Sequence, residues 1–337
     1  MKNFSPASHR AAGLFYSHAA RPHIQALEMN IQEITSAQNP KIKETAALLE
    51  KSRERRTRKL FVVEGVREIS ACIRNGFTIR SIFFNSRIVS PQQVVALFPT
   101  NPVHDGESGT LSSSRNTGST AAGTGELHDT CSHAGKADHG QDNLPALFSL
   151  TPTVYSKIAY RENTEGMVAV VEEKKLSLQD VRFGKKWEQP LVLVVESVEK
   201  PGNLGALLRT ADACGIDTVL VCDPLTDLYN PNLIRSSLGG IFTNQVVACT
   251  NEEALEWLRA NNINIFTAQL QDSEWYYNTD MAAPTAIVMG TESTGLTDFW
   301  RKASNAKIKI PMLGELDSLN VSVSAAVLCY EAVRQRQ

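Results

Sequence analysis

No stretch of this chain approaches the ~20 consecutive apolar residues that a membrane-spanning helix needs, so the sequence reads as that of a soluble protein. It has no Cys-x-x-Cys pair. Its cysteines stand at 72, 131, 214, 222, 249 and 329, and four of them lie inside apolar runs, where a small buried hydrophobe fits better than a ligand. That usage predicts a reducing compartment and a cytoplasmic location. Histidines 104, 128, 133 and 139 are irregularly spaced in a Gly/Ser-rich background, which predicts no metal site. Acidic residues are missing before Glu28, and the apolar patch at 11–16 is too short and interrupted for a secretory signal. An acid-poor leader containing Arg and Ser has the composition of a transit peptide. The plainer expectation is that Met29 is an alternative start and residues 1–28 a disordered extension. Aromatic and most large apolar residues are also missing from 101–145, a segment of Gly, Ser, Thr, His and Asp. Such a stretch cannot offset its ordering entropy and is expected to be a disordered insertion.

The net charge of −2 hides an asymmetry: between Ile31 and Arg87 twelve Lys and Arg stand against six Glu, a local charge of +6. At 337 residues the chain has room for two domains of ordinary size, each with its own core. Asn39-Pro40 is a helix start, followed to about Arg58 by Ile42, Ala46 and Leu49 at helical spacing and by a basic opposite face. Strands at 60–63 and 78–84 around a helix at 66–75 then make an α/β unit. After the insertion a short helix at 156–161 and a strand at 166–171 return to it. The predicted organisation is therefore a smaller α/β domain over 29–100 and 146–173, a polar linker over 174–188, and a second domain over 189–337. Within the last, apolar strands and helices alternate as in a parallel sheet covered on both faces.

Each of three polar segments in the second domain follows a predicted strand: Asn203-Leu204-Gly205 with Arg209, Gly290 to Leu296, and Ile310-Pro311-Met312 followed by Ser318-Leu319-Asn320-Val321-Ser322. In an open parallel sheet all three gather at the carboxyl edge, where ligands bind. A dinucleotide-binding turn does not fit the first of them, since Gly202-Asn203-Leu204-Gly205-Ala206-Leu207 departs from G-x-G-x-x-G even though Asp223 falls about where a ribose-binding acid would.

The three segments, in this order, resemble the motifs of the SPOUT (SpoU–TrmH) RNA ribose 2′-O-methyltransferases: Asn-x-Gly-x-x-x-Arg, Gly-x-Glu-x-x-Gly-Leu, and Ile-Pro-Met with Ser-Leu-Asn-Val-Ser. The resemblance covers about residues 190–335, and a weaker one relates residues 31–90 to the small RNA-binding domain that often precedes this catalytic domain. It implies a trefoil-knotted parallel-sheet domain, S-adenosyl-L-methionine as methyl donor, ribosomal RNA as substrate with transfer RNA the alternative, and a homodimer; the alternative of another class is an RNA-binding or assembly factor that has lost catalysis. It also implies that Gly290, Ile310 and Leu319 bind the cofactor and that Arg209 is catalytic. Asn203, Glu292, Ser318 and Asn320 complete the cluster, Asn203 and Glu292 mainly by holding loops. A guanidinium stays protonated at ordinary pH, so Arg209 suits an electrostatic grip on phosphate better than the work of a base. Lys41, Arg53, Arg55, Arg56, Arg58 and Lys59 are the expected phosphate contacts of the first domain.

Overall fold

Asn39 accepts a hydrogen bond from the Lys41 N–H at 2.9 Å and Pro40 occupies the first turn, so helix α1 (Pro40–Glu50) begins where expected. It buries Ile42, Thr45 and Leu48, with Ala46 and Leu49 packed at the margin. The single helix expected as far as Arg58 is instead broken at Lys51, whose backbone is extended, and a second helix α2 (Ser52–Arg58) follows. The break has a visible cause. Arg55 folds back under α1 and its Nη1 donates to the carbonyls of Leu48 and Leu49 at 2.6 and 3.1 Å, satisfying the chain end that a continuous helix would have satisfied internally.

The computed structural model describes residues 31–98, 145–160, 165–291 and 293–337. The extension at 1–28, the insertion up to residue 144 and Glu292 lie outside the described residues. Around α1 and α2 the first lobe adds β1 (Ile31–Ile34), β2 (Leu60–Glu64), α3 (Val66–Arg74), β3 (Ile79–Asn85), α4 (Pro91–Val95), β4 (Ala146–Leu150), α5 (Pro152–Tyr155) and β5 (Met167–Glu172). They form a mixed sheet in the order β1-β4-β3-β5-β2. The helix expected at 156–161 is replaced by α5 just upstream, where Pro152 supplies the first turn.

The second lobe runs β6 (Leu191–Glu196), α6 (Pro201–Cys214), β7 (Thr218–Cys222), α7 (Pro231–Ser237), α8 (Gly240–Thr243), β8 (Gln245–Cys249), α9 (Asn251–Ala260), β9 (Asn264–Ala268), β10 (Glu274–Trp275), β11 (Thr285–Met289), α10 (Asp298–Ala303), β12 (Ala306–Lys309) and α11 (Val321–Gln335). Its seven strands are all parallel, in the order β10-β12-β9-β11-β6-β7-β8. β6, β7 and β11 are buried along their whole length, as unbroken Val/Ile/Leu runs must be in a sheet covered on both sides.

The lobes share a core. Phe61 of β2 stacks on Tyr229 at 4.1 Å, Phe77 meets Phe242 edge-on at 5.2 Å, and Arg55 Nε pairs with Asp227 Oδ2 at 2.7 Å. Residues 174–188 are fastened along the second lobe rather than spanning freely. The Arg182 and Lys185 N–H groups donate to Gln245 and Asp217, and Trp187 Nε1 to the Cys214 carbonyl at 2.9 Å. No helix among the described residues is long and apolar enough to cross a membrane.

Candidate active site

β11 ends at Met289, and the chain then turns tightly: Thr291 and Gly295 exchange two backbone hydrogen bonds at 3.1 Å, with Gly295 at φ 68°. The turn lies so close to Gly290 that a Cβ there would come within 2.3 Å of the Gly295 carbonyl carbon and 2.4 Å of its oxygen. Only glycine fits. After β12 the chain passes Ile310 and returns at Ser318 to Asn320, whose side chain caps α11 by accepting from the Ser322 N–H at 3.0 Å and its hydroxyl at 2.6 Å.

These two loops enclose a cleft of about 310 Å³ at the carboxyl ends of β9, β11 and β12. Gly290, Ile310, Ser318 and Leu319 all line it, with Leu296, Met312 and Leu328 adding apolar wall. The first motif joins through Asn203, which accepts a 3.3 Å hydrogen bond from Asn320 Nδ2 and lines a smaller adjoining pocket with Gly290 and Thr291. The structure thus brings Asn203, Gly290, Ile310, Ser318, Leu319 and Asn320 together. Ser318 donates to Asp317 Oδ1 at 2.9 Å.

Arg209 is placed differently. α6 starts at Pro201, so Asn203 already belongs to its first turn and Arg209 lies more than two turns in. It is exposed, does not line the cleft, and has no hydrogen-bond or ionic partner among the described residues. Gly205 also has a use the motif does not advertise: a Cβ there would lie 1.9 Å from Ser236 Oγ and 2.8 Å from the Ser237 nitrogen, so it lets α6 and α7 touch.

Three polar residues escaped the sequence reading. Glu196, 1% exposed at the end of β6, accepts from the Thr297 hydroxyl at 2.6 Å and N–H at 2.9 Å, tying down the far end of the glycine turn. Its acid at the close of an apolar strand was the available signal. Asn251 links Glu196 to Asp223 and accepts from Trp300 Nε1 at 2.6 Å, so Asp223 is engaged in this network and not poised for a ribose. Gln269, in the cleft wall, has a buried Oε1 with no hydrogen-bond partner among the described residues. An orphaned acceptor beside aliphatic side chains and loop backbone fits an adenosine, whose exocyclic amine is a donor and whose ring is planar and largely apolar.

On the first lobe, Lys41, Arg58, Lys59 and Arg80 line a groove of about 550 Å³, with Lys41 Nζ 4.9 Å from the Phe148 ring centre. Arg53 and Arg56 are exposed on α2, outside this groove. Arg55 does not belong with them. It is 5% exposed and saturated by Asp227 and two carbonyls, so its expected phosphate contact is withdrawn.

The family described as SpoU rRNA Methylase matches residues 190–330, and the MRM3-like substrate binding domain matches residues 39–119. The chain is 35% identical over 175 residues to the 23S rRNA (guanosine-2′-O-)-methyltransferase RlmB of Bordetella pertussis, an alignment covering 51% of this chain and 71% of the relative. The crystal structure of an RNA 2′-O ribose methyltransferase superposes with a TM-score of 0.67 at 32% identity, covering 90% of this chain and 99% of that one. The SpoU methyltransferase AviRb from Streptomyces viridochromogenes, in complex with the cofactor AdoMet, shares the fold with a TM-score of 0.69 at 22% identity, covering 89% and 98%. Both domain matches in their expected order, with a relative this similar over most of its own length, show that the chain belongs to the SpoU rRNA methylase family.

Proposed function

We propose that this chain methylates a ribose 2′-hydroxyl of ribosomal RNA with S-adenosyl-L-methionine as donor, working in the cytoplasm as a homodimer. One observation carries the reading: residues from all three motifs converge on one cleft and its adjoining pocket, joined by the Asn320–Asn203 hydrogen bond. When bound, S-adenosyl-L-methionine supplies an electrophilic methyl on its sulfonium. The chain's own part is to hold and orient. Ile310, Leu319 and Leu296 offer apolar contact to a nucleoside, Gly290 keeps the turn close, and Gln269 offers an acceptor. Glu196 fixes the turn through Thr297, and Asn320 sets Asn203 against the mouth of the cleft. Glu292 is assigned with Asn203 to loop support by the motif alone.

Arg209 is assigned to the phosphate beside the reacting ribose, where a permanently charged fork stabilises the developing alkoxide. Its exposed position away from the cleft supports a site completed across a dimer. An apolar stripe on α11 supports the dimer too: Val323 and Tyr330 are 48% and 53% exposed with Ala326 and Val327 between them. The trefoil knot expected of the family belongs to the same proposal, supported by the joint enclosure of the cleft by residues 290–296 and 310–319. The reducing location is supported by cysteines 72, 214, 222, 249 and 329, all free thiols. Mapping 2′-O-methyl positions across total RNA with and without the gene tests the reading. A single ribosomal position should disappear without it; a lost transfer RNA position would move the substrate, and an unchanged map would remove the activity.

A further inference from the structure

Beyond the cleft, the short edge strand β10 carries an exposed aromatic group that the three motifs do not account for. Trp275 is 40% and Tyr277 50% exposed, and their rings lie nearly parallel, 20° apart with centres 6.4 Å from each other. Tyr276 between them packs against the core and meets Tyr277 edge-on at 5.2 Å. The following turn is pinned by Gln335 of α11, which donates to the Thr279 carbonyl at 3.0 Å and accepts from the Met281 N–H at 2.6 Å. The rings stand on a rigid base.

A cation accompanies them. Trp275 and Lys309 are register partners in the parallel β10–β12 pair, so their side chains share a face, and Lys309 Nζ sits 4.7 Å from the Trp275 ring centre. Lys309 also lines the cleft, which joins the aromatic group to the candidate active site. Strand alternation sends Glu274 to the opposite face. Exposed near-parallel π faces, an adjacent ammonium and continuity with the cleft are what single-stranded nucleic acid needs: rings on which bases stack regardless of identity, and a charge for the backbone. We propose that Trp275 and Tyr277, with Lys309, form a stacking platform for unpaired RNA bases flanking the nucleotide that enters the cleft. The proposal rests on the RNA-methylating reading and extends it, because it requires the target to be presented single-stranded.

The test uses the full chain and single-stranded fragments of ribosomal RNA. Trp187 and Trp257 are half-buried and Trp300 is buried, so Trp275 is the most exposed of the four tryptophans to acrylamide. RNA should protect it from the quencher, and Trp275→Phe should remove that signal. Trp275→Ala with Tyr277→Ala should raise the RNA KM roughly tenfold, the loss of about one stacked base, with kcat and the affinity for S-adenosylhomocysteine unchanged. An unchanged RNA KM in that double variant overturns the platform while leaving the methyltransferase reading intact. A dimer that dissociates in the double variant assigns the patch to a second copy of the chain and likewise overturns it. Should the wild type methylate no RNA, the functional reading fails separately, and quencher protection by RNA still decides the platform.

Discussion

Gly290 shows how little room a residue can leave for substitution. Adding one methyl group would drive it into the Gly295 backbone, which has no flexible side chain to move aside. Gly290→Ala should cost about 1–3 kcal/mol of stability by overpacking, and it should weaken S-adenosylhomocysteine binding by roughly tenfold or more, since the displaced turn is a wall of the cleft. Calorimetric titration checks this; undiminished affinity would mean the turn is not part of the binding wall. Glu196 acts one step further back. Glu196→Gln keeps the shape but replaces an acceptor of the Thr297 hydrogen bonds with an amide, so cofactor affinity should fall while Glu196→Asp recovers part of it. Equal affinity in the Gln variant would make the carboxylate dispensable. Gly290 was legible in the sequence as part of a motif, whereas Glu196 offered only the signal of an acid closing an apolar strand. Their contacts were not legible there: Gly295 meets Gly290 through the geometry of the tight turn between them, and Thr297 meets Glu196 only through tertiary folding.

At the level of elements, β6 and β7 fill their apolar runs from end to end, because fully apolar runs bounded by Pro, Gly or an acid leave the boundary little freedom. The helix over 39–58 came out wrong for an equally physical reason. Local propensity favours one continuous helix, and the break exists because Arg55 must reach both the end of α1 and Asp227, 172 residues away in sequence. β4 went unassigned because its short run borders the polar insertion, and only pairing with β1 and β3 makes it a strand. Asp227→Ala should therefore destabilise by about 3 kcal/mol in urea unfolding, since it strands a buried guanidinium, whereas Arg55→Met with Asp227→Leu should cost less. A negligible loss in the single variant would show that the two carbonyls suffice. At the end of α11 the Arg334 guanidinium, bidentate at 2.7 and 2.9 Å, holds the Glu331 carboxyl below its ordinary pKa. A carboxyl depressed in the folded state stabilises above its unfolded pKa and loses that contribution as pH falls through its folded value. The acid limb of a stability profile should thus flatten in Glu331→Gln; an unchanged limb would assign acid sensitivity elsewhere.

The whole molecule joins a basic lobe to a lobe with a nucleoside-sized cleft through a shared aromatic core. Neutralising Lys41, Arg58, Lys59 and Arg80 together should weaken RNA binding and lower the slope of log affinity against log salt, by up to about 0.7 for each single-strand phosphate that the protein no longer neutralises. An unchanged slope would make that groove a plain solvated face. Arg209 carries the most consequence, because the motif assigns it to chemistry and the single chain leaves it exposed away from the cleft. The most direct measurement incubates purified wild type and Arg209→Ala with S-adenosyl-L-methionine and ribosomal RNA, then analyses the nucleoside digest by mass spectrometry alongside titration with S-adenosylhomocysteine. The account predicts one 2′-O-methylnucleoside from the wild type and none from Arg209→Ala, with both proteins binding S-adenosylhomocysteine equally. A wild type that binds the nucleoside yet forms no 2′-O-methylnucleoside, or an Arg209→Ala variant with full turnover, would contradict it.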